Sequence, residues 1–176
     1  MSPVVQIPVQ VTVRRARTAD VPAMKRIIDL YAGSGRKLLS KELVTLYEDI
    51  ADFRVAEVNG DVVGCGALHV IWADLGEIRT LAVHPDFRGL KIGDQLLQAL
   101  VATAHELGLE RLFALTFQTN FFHRNGFEVI EGTPVEPDTY LALRQSLDPG
   151  VAEFLELEYV KPNTLGNTRM LLRLHP

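Results

Sequence analysis

Residues 9–15 alternate apolar and polar side chains (VQVTVRR), the period of a half-buried strand. Helix-start residues follow at Thr18 to Asp20, with Pro22 in the first turn, and a helix is predicted to about Tyr31. Ala32 to Leu39 reads as a loop rich in glycine and positive charge. Ser40 then caps a second helix over about 41–50. Phe53 to Val58 and Asp61 to Trp72 are the arms of a hairpin around Asn59-Gly60, a pair that tolerates the positive φ of a tight turn. Leu75 to Val83 is a further strand. An amphipathic helix runs from Ile92 to about Leu107 and stops at Gly108. Arg111 to Phe117 reads as strand, Thr119 to Asn125 as a short helix stopped by Gly126, Phe127 to Ile130 as a short strand, and 136–147 as helix. Val151 to Tyr159 and Arg169 to Leu174 read as two late strands. Strands meander first and then alternate with helices, so the expected class is α/β (α+β) with a mixed sheet, not a doubly wound parallel one.

At 176 residues the chain is expected to form a single domain, 1–176, with residues 1–8 as a flexible tail. Its net charge of -4 argues against nucleic acid or an anionic membrane as the main partner. No apolar run reaches the roughly 20 residues of a membrane span, and the N-terminus lacks the pattern of a secretory signal. One cysteine, Cys65, lies in an apolar run and reads as a buried, inert thiol. These features fit a cytoplasmic protein.

The densest chemistry lies in residues 77–93, EIRTLAVHPDFRGLKIG. A strand stops at His84-Pro85, a loop carries Arg88 and Gly89, and Gly93 opens the long helix. Free backbone N–H groups and the positive helix end suit an anion there. The P-loop pattern and the dinucleotide pattern G-x-G-x-x-G are both absent, and a ligand-free connecting loop is the alternative. The five histidines show no metal-ligand spacing, so no metal is expected. His84 and His69 read as structural, with His69 facing an acceptor site as the other option. Trp72, Phe117, Phe121 and Phe122 read as core or cleft wall.

The sequence LAVHPDFRGLKIGDQLL resembles the acetyl-CoA-binding motif of the GNAT N-acetyltransferases, Arg/Gln-x-x-Gly-x-Gly/Ala. Arg88 fills its first position and Gly93 its last; Lys91 stands where the family usually has the middle glycine. FFHRNGF at 121–127 is similar to the second signature of the family, and RRARTADVPAM to its first strand and helix. The segments GEIRTLAV, FALTFQT and RKLLSKELVTLYEDIADFRVAE look like the acetyltransferase domain of N-acetylglutamate synthases, in a short, free-standing form. Those enzymes acetylate the α-amine of glutamate, the first step of arginine biosynthesis.

The resemblance implies a mixed, mostly antiparallel twisted sheet flanked by helices, with acetyl-CoA between the fourth and fifth strands. It implies Glu77 as general base; the other reading is a strand-end glutamate paired with Arg79. On an alternating strand Glu77, Arg79, Leu81 and Val83 share one face. The backbone at Leu81 or Ala82 would polarise the acetyl carbonyl, and Leu81, Ala82 and Val83 would pair with the pantetheine arm. Arg88, Gly89, Leu90, Lys91, Ile92 and Gly93 would hold the pyrophosphate. Thr116 would donate to the leaving thiolate, since Phe122 fills the position of the tyrosine many relatives use. Lys41, Arg79, Lys161, Asn163 and Arg169 would bind a small-molecule amino acid, with Thr168, Arg36 and Lys37 as further candidates. Gly166 stands where the synthases have an arginine, which admits glutamine as well as glutamate. For each basic residue a solvated surface is the alternative. A homodimer is expected from the family. The competing readings are another amine acceptor and a non-catalytic acyl-CoA-binding module.

Overall fold

The computed structural model describes residues 8–32 and 41–175. Residues 1–7 of the expected tail, the loop with Arg36 and Lys37, and the cap Ser40 lie outside them. Seven strands form one sheet in the order β1-β2-β3-β4-β5-β7-β6. They are β1 (Val11–Arg15), β2 (Phe53–Val58), β3 (Asp61–Trp72), β4 (Leu75–Val83), β5 (Arg111–Thr116), β6 (Glu128–Val129) and β7 (Thr168–Arg173). Only β4 and β5 run parallel; every other neighbouring pair is antiparallel. The β2–β3 turn has Asn59 at φ 53° and Gly60 at φ 84°, the double positive φ of a two-residue hairpin.

Both faces of the sheet are covered. The helix α1 (Val21–Ala32) buries Met24, Ile27 and Ile28 against Phe53, Val55, Cys65 and Ala67 on one face. α2 (Leu43–Glu48) adds Leu46 to that layer. The longest helix, α3 (Ile92–Glu106), lays Leu97, Leu100 and Ala104 on Leu68, Ile78 and Leu112 of the other face. α4 (Thr119–Arg124) brings Phe122 into the same core. On the α1 side, beyond β4, α5 (Pro137–Leu143) and α6 (Pro149–Phe154) cover Phe113 and Leu171. A final turn of helix, α7 (Lys161–Thr164), leads into β7.

Several expectations need correction, among them that the helix expected over 136–147 is only Pro137–Leu143. Val151 to Tyr159 is not a strand: its first part belongs to α6. The Asp148 carboxylate accepts the Val151 N–H at 2.9 Å and Pro149 opens the helix, so a side-chain cap and a proline fix a helix start. Val151, Phe154 and Leu155 then recur at helical spacing and pack on Phe113. The second helix is shorter than 41–50, because a 3-10 turn at Ile50–Asp52 intervenes. Trp72 belongs to neither core nor cleft wall; it is exposed at the end of β3. Cys65 is buried as expected, and burial pushes its thiol up to about 12, so it is inert at neutral pH.

Candidate functional site

Parallel pairing between β4 and β5 covers only Leu75 to Glu77 opposite Arg111 to Phe113. From Ile78 onward the β5-facing edge of β4 has no strand partner among the described residues, and the two strands splay. At the same point β4 is bulged. Ala67 pairs with Arg79 but Cys65 with Ala82, so two residues of β4 oppose Gly66 alone, and Thr80 takes φ 54°. A β-carbon on Gly66 would lie 2.8 Å from Leu81 Cδ1, so the glycine leaves that side chain its place under the bulge.

The bulge overturns the expectation that Glu77, Arg79, Leu81 and Val83 share a face. One extra residue reverses the alternation. Glu77 and Arg79 lie on the α1 side, whereas Leu81 and Val83 pack toward α3 with Ile92 and Leu96. Ala82 joins Cys65 and Ala67 on the α1 side.

The splay opens a cleft of about 550 Å³. Ile78, Thr80, Leu81 and Val83 form one wall; Leu115, Thr116, Phe117, Phe121 and Phe122 form the other. Its floor is the loop into α3, with Arg88, Gly89, Lys91, Ile92 and Gly93, while Arg124 and Tyr31 stand at its rim. The Tyr31 hydroxyl donates to the Val83 carbonyl. Gly89 has φ 85°, and Lys91 sits in the left-handed region at φ 55°, ψ 31°. Lys91 therefore adopts the backbone shape for which a glycine is usually needed. The Lys91 side chain does not cap α3; the first intrahelical bond is Gln95 N–H to Lys91 O, 3.1 Å, and with Asp94 N–H facing its own carboxylate the N–H groups of Ile92 and Gly93 are left for a ligand. The set fits a CoA pyrophosphate: unspent N–H donors at a helix start, a compact nest, and Arg88, Lys91 and Arg124 around it.

Lys91→Gly is expected to raise stability slightly. Relief of left-handed strain, ~1–2 kcal/mol, exceeds the added chain entropy of about 0.5–1 kcal/mol. Loss of the ammonium should weaken acetyl-CoA binding severalfold and flatten its salt dependence. Calorimetric melting and titration at two salt concentrations check both; a lower Tm would contradict the strain argument.

On the α1 side of the bulge lies a shallow recess of only about 10 Å³, room for a water or a single polar group, lined by Lys41, Asp49, Asp52, His69, Arg79 and Thr80. Thr80 lines both cavities. Arg79 Nε donates to Glu77 at 2.8 Å, and its Nη1 and Nη2 reach the two Asp148 oxygens at 3.0 and 2.7 Å. Three of its five N–H donors are so used. His69, the cross-strand neighbour of Glu77, has Nδ1 3.0 Å from Asp52 and Nε2 3.9 Å from Asp148. Glu77 is 5% exposed. Burial pushes its carboxyl above the usual carboxylate value even though the Arg79 charge and hydrogen bond pull it down. On α6, burial and then the charge of Glu77 push Glu153 up to about 7. Burial raises Asp148 as well, but the Arg79 hydrogen bonds and charge outweigh it and hold the carboxyl below its ordinary value.

Of the cofactor residues expected from sequence, Leu81, Val83, Arg88, Gly89, Lys91, Ile92 and Gly93 line one cleft, whereas Ala82 faces the α1-side core and the Leu90 side chain is exposed outside it. Glu77 is at the splay but lines neither cavity, lying behind Arg79. Thr116 lines the cleft; its Oγ1 accepts Gln118 N–H at 2.8 Å, which leaves the hydroxyl proton to donate. Lys41 and Arg79 meet in the recess. Lys161 does not join them; it is exposed and bonded to Glu158 at 2.6 Å. Arg169 is turned to structure: its guanidinium donates to the carbonyls of Gly132, Glu153 and Phe154 and lies 4.8 Å from the Phe113 ring centroid. Gly166 makes a turn at φ 78° beside Phe117. The side chain of Asn163, in α7, lies outside the described residues. Among the described residues no group of three His, Cys, Asp or Glu could hold a metal ion, and no helix is long and apolar enough to cross a membrane.

Sequence reading missed Asp148, Asp52 and Glu153. Asp148 had a local signal, since Asp-Pro is a helix-start pair. The other two join the site only through long-range packing.

Residues 24–127 match the model of the acetyltransferase (GNAT) family. An amino-acid acetyltransferase of Mycobacterium tuberculosis is 58% identical over 165 residues, 92% of this chain and 94% of that protein. The crystal structure of Rv2747 from M. tuberculosis, in complex with CoA and NLQ, superposes with a TM-score of 0.90 at 56% identity, covering 93% of this chain and 99% of that one. N-acetylglutamate synthase from Neisseria gonorrhoeae, complexed with coenzyme A and N-acetyl-glutamate, gives a TM-score of 0.76 at 26% identity. That match covers 97% of this chain but 36% of the synthase.

Proposed function

The chain belongs to the acetyltransferase (GNAT) family, and on that premise we propose that it acetylates the α-amine of L-glutamate or a close analogue such as L-glutamine. Acetyl-CoA is the donor and supplies an activated thioester. The single observation that carries the reading is the bulge at Thr80, where the cofactor cleft and the charged recess share a wall. An acceptor amine in the recess would meet the thioester there. The relatives' names support an amino acid as acceptor.

Each group then has a task. Lys41 and the two remaining N–H donors of Arg79 suit an α-carboxylate. The acidic surroundings suit the ammonium that must lose its proton before attack. Glu77 is the base we assign, reached through a water because it lines neither cavity. As the N–C bond forms, a backbone N–H at Leu81 or Ala82 stabilises charge developing on the thioester oxygen. As the C–S bond breaks, Thr116 donates toward the thiolate. Arg169 is occupied with carbonyls and Gly166 has no side chain to offer, which favours an acceptor with a neutral side chain. We place the reaction at the first step of arginine biosynthesis, in a cytoplasmic homodimer, on the likeness to the synthases.

The test is thiol release from acetyl-CoA with a panel of free amino acids. Turnover with glutamine or glutamate above all others is expected. Silence on every amino acid, with turnover on a polyamine or peptide, would overturn the acceptor and leave the family intact.

A further inference from the structure

We infer that Asp148 is a positioning residue for the reaction: by taking two arms of the Arg79 guanidinium, it keeps that cation from neutralising Glu77 and latches the start of α6 to β4 beside the acceptor recess. The inference rests on the reading of Glu77 as the base.

The geometry has three parts. Asp148 accepts both terminal nitrogens of Arg79, so the guanidinium serves two carboxylates rather than one. The same Asp148 Oδ1 caps α6 through Val151 N–H, so the latch and the helix start are one group. Gly150 completes the fit, since its backbone lies directly on the guanidinium and a β-carbon would come within 2.3 Å of Arg79 Nη2. The start of α6 thus packs on the guanidinium with no room for a β-carbon between them.

The charged groups facing Glu77 come from every surrounding element. Arg79 is on β4 itself, His69 on β3, Asp148 ahead of α6, Glu153 within it, and the more distant cation Arg169 on β7. Against one bonded cation stand two further carboxylates. A base in that company keeps its affinity for a proton, as the acceptor ammonium requires; a base alone with Arg79 would lose it. Asp148 shapes the acid–base chemistry without touching the reacting atoms.

The sign is definite. Activity needs Glu77 deprotonated, so kcat/KM falls on the acid side of its pKa. Removing the Asp148 charge takes away a group that raises Glu77 and gives the Arg79 charge wholly to it. Both effects lower the pKa, and the acid limb moves to lower pH.

The experiment is the pH profile of kcat/KM for the wild type, Asp148→Asn, Asp148→Ser and Glu77→Gln, with acetyl-CoA and the best amino acid of the panel. Asparagine and serine both cap helices, so α6 keeps its start, and two neutral variants protect the test against misfolding of either. The expected result is an acid limb displaced downward by about one pH unit in the Asp148 variants and absent from the residual activity of Glu77→Gln. An unmoved limb with a lower kcat or higher KM would show that Asp148 only fastens α6, and would overturn the inference while leaving Glu77 as base. Wild-type turnover in Glu77→Gln would remove the base, and the inference with it.

Discussion

Glu77→Gln is expected to lower kcat by about 10²–10⁴-fold and to leave the Kd for acetyl-CoA within a factor of two. The substitution is nearly isosteric. The glutamine oxygen can still accept Arg79 Nε, and Arg79 keeps both bonds to Asp148. What disappears is a group able to take a proton from the amine. Binding of the donor is spared because Glu77 lines no part of the cofactor cleft. Steady-state rates with calorimetric titration of acetyl-CoA separate the two quantities. A parallel loss of CoA binding would mean that the variant has disturbed the splay of β4 and β5, and turnover near wild type would exclude Glu77 from the chemistry.

Gly150→Ala is expected to destabilise the fold by about 3–5 kcal/mol and to abolish most activity. The added methyl would sit 2.3 Å from Arg79 Nη2 and 2.5 Å from its Cζ. An arginine end usually swings aside at little cost. This one is held by Glu77 and by both oxygens of Asp148 and is mostly buried, so yielding breaks ion pairs inside the protein. The uncompensated carboxylate of Glu77 then remains in the core, which is the expensive outcome. If α6 yields instead, Val151 and Phe154 lose their packing on Phe113 and Leu75. Urea unfolding gives the number; a loss below about 1 kcal/mol would mean that α6 slides without breaking the latch.

The sequence displayed the residues around the cleft far better than those around the recess. Strand β4, the loop with Arg88 and Gly93 and the start of α3 are contiguous, and their chemistry is local: free N–H groups, a helix end and positive φ. Lys91 was readable as an irregular member, and the left-handed backbone it adopts shows how the loop keeps its shape without the middle glycine. The recess is assembled from β3, β4, the segment before α2 and the turn after it, with α6 bonded behind it, and no periodicity predicts that Arg79 meets Asp148 across 69 residues. The bulge was invisible for a related reason. Alternation of side chains assumes an unbroken pleat, and the extra residue at Thr80 follows from pairing with β3 and not from β4 alone. The apolar spacing of Val151, Phe154 and Leu155 admits strand or helix when short, and the Asp148-Pro149 start decides for helix.

Acetyl transfer to an amino-acid α-nitrogen where cleft and recess meet is the centre of this account. The most direct measurement is to give the protein acetyl-CoA labelled with carbon-13 in the acetyl group, together with L-glutamine and L-glutamate, and to follow the label by NMR and mass spectrometry. The account predicts that the label appears on the α-nitrogen of the amino acid, that CoA is released in equal amount, and that no acetylated protein accumulates. Label retained on the protein, or acetyl-CoA bound and never consumed with either amino acid, would contradict it.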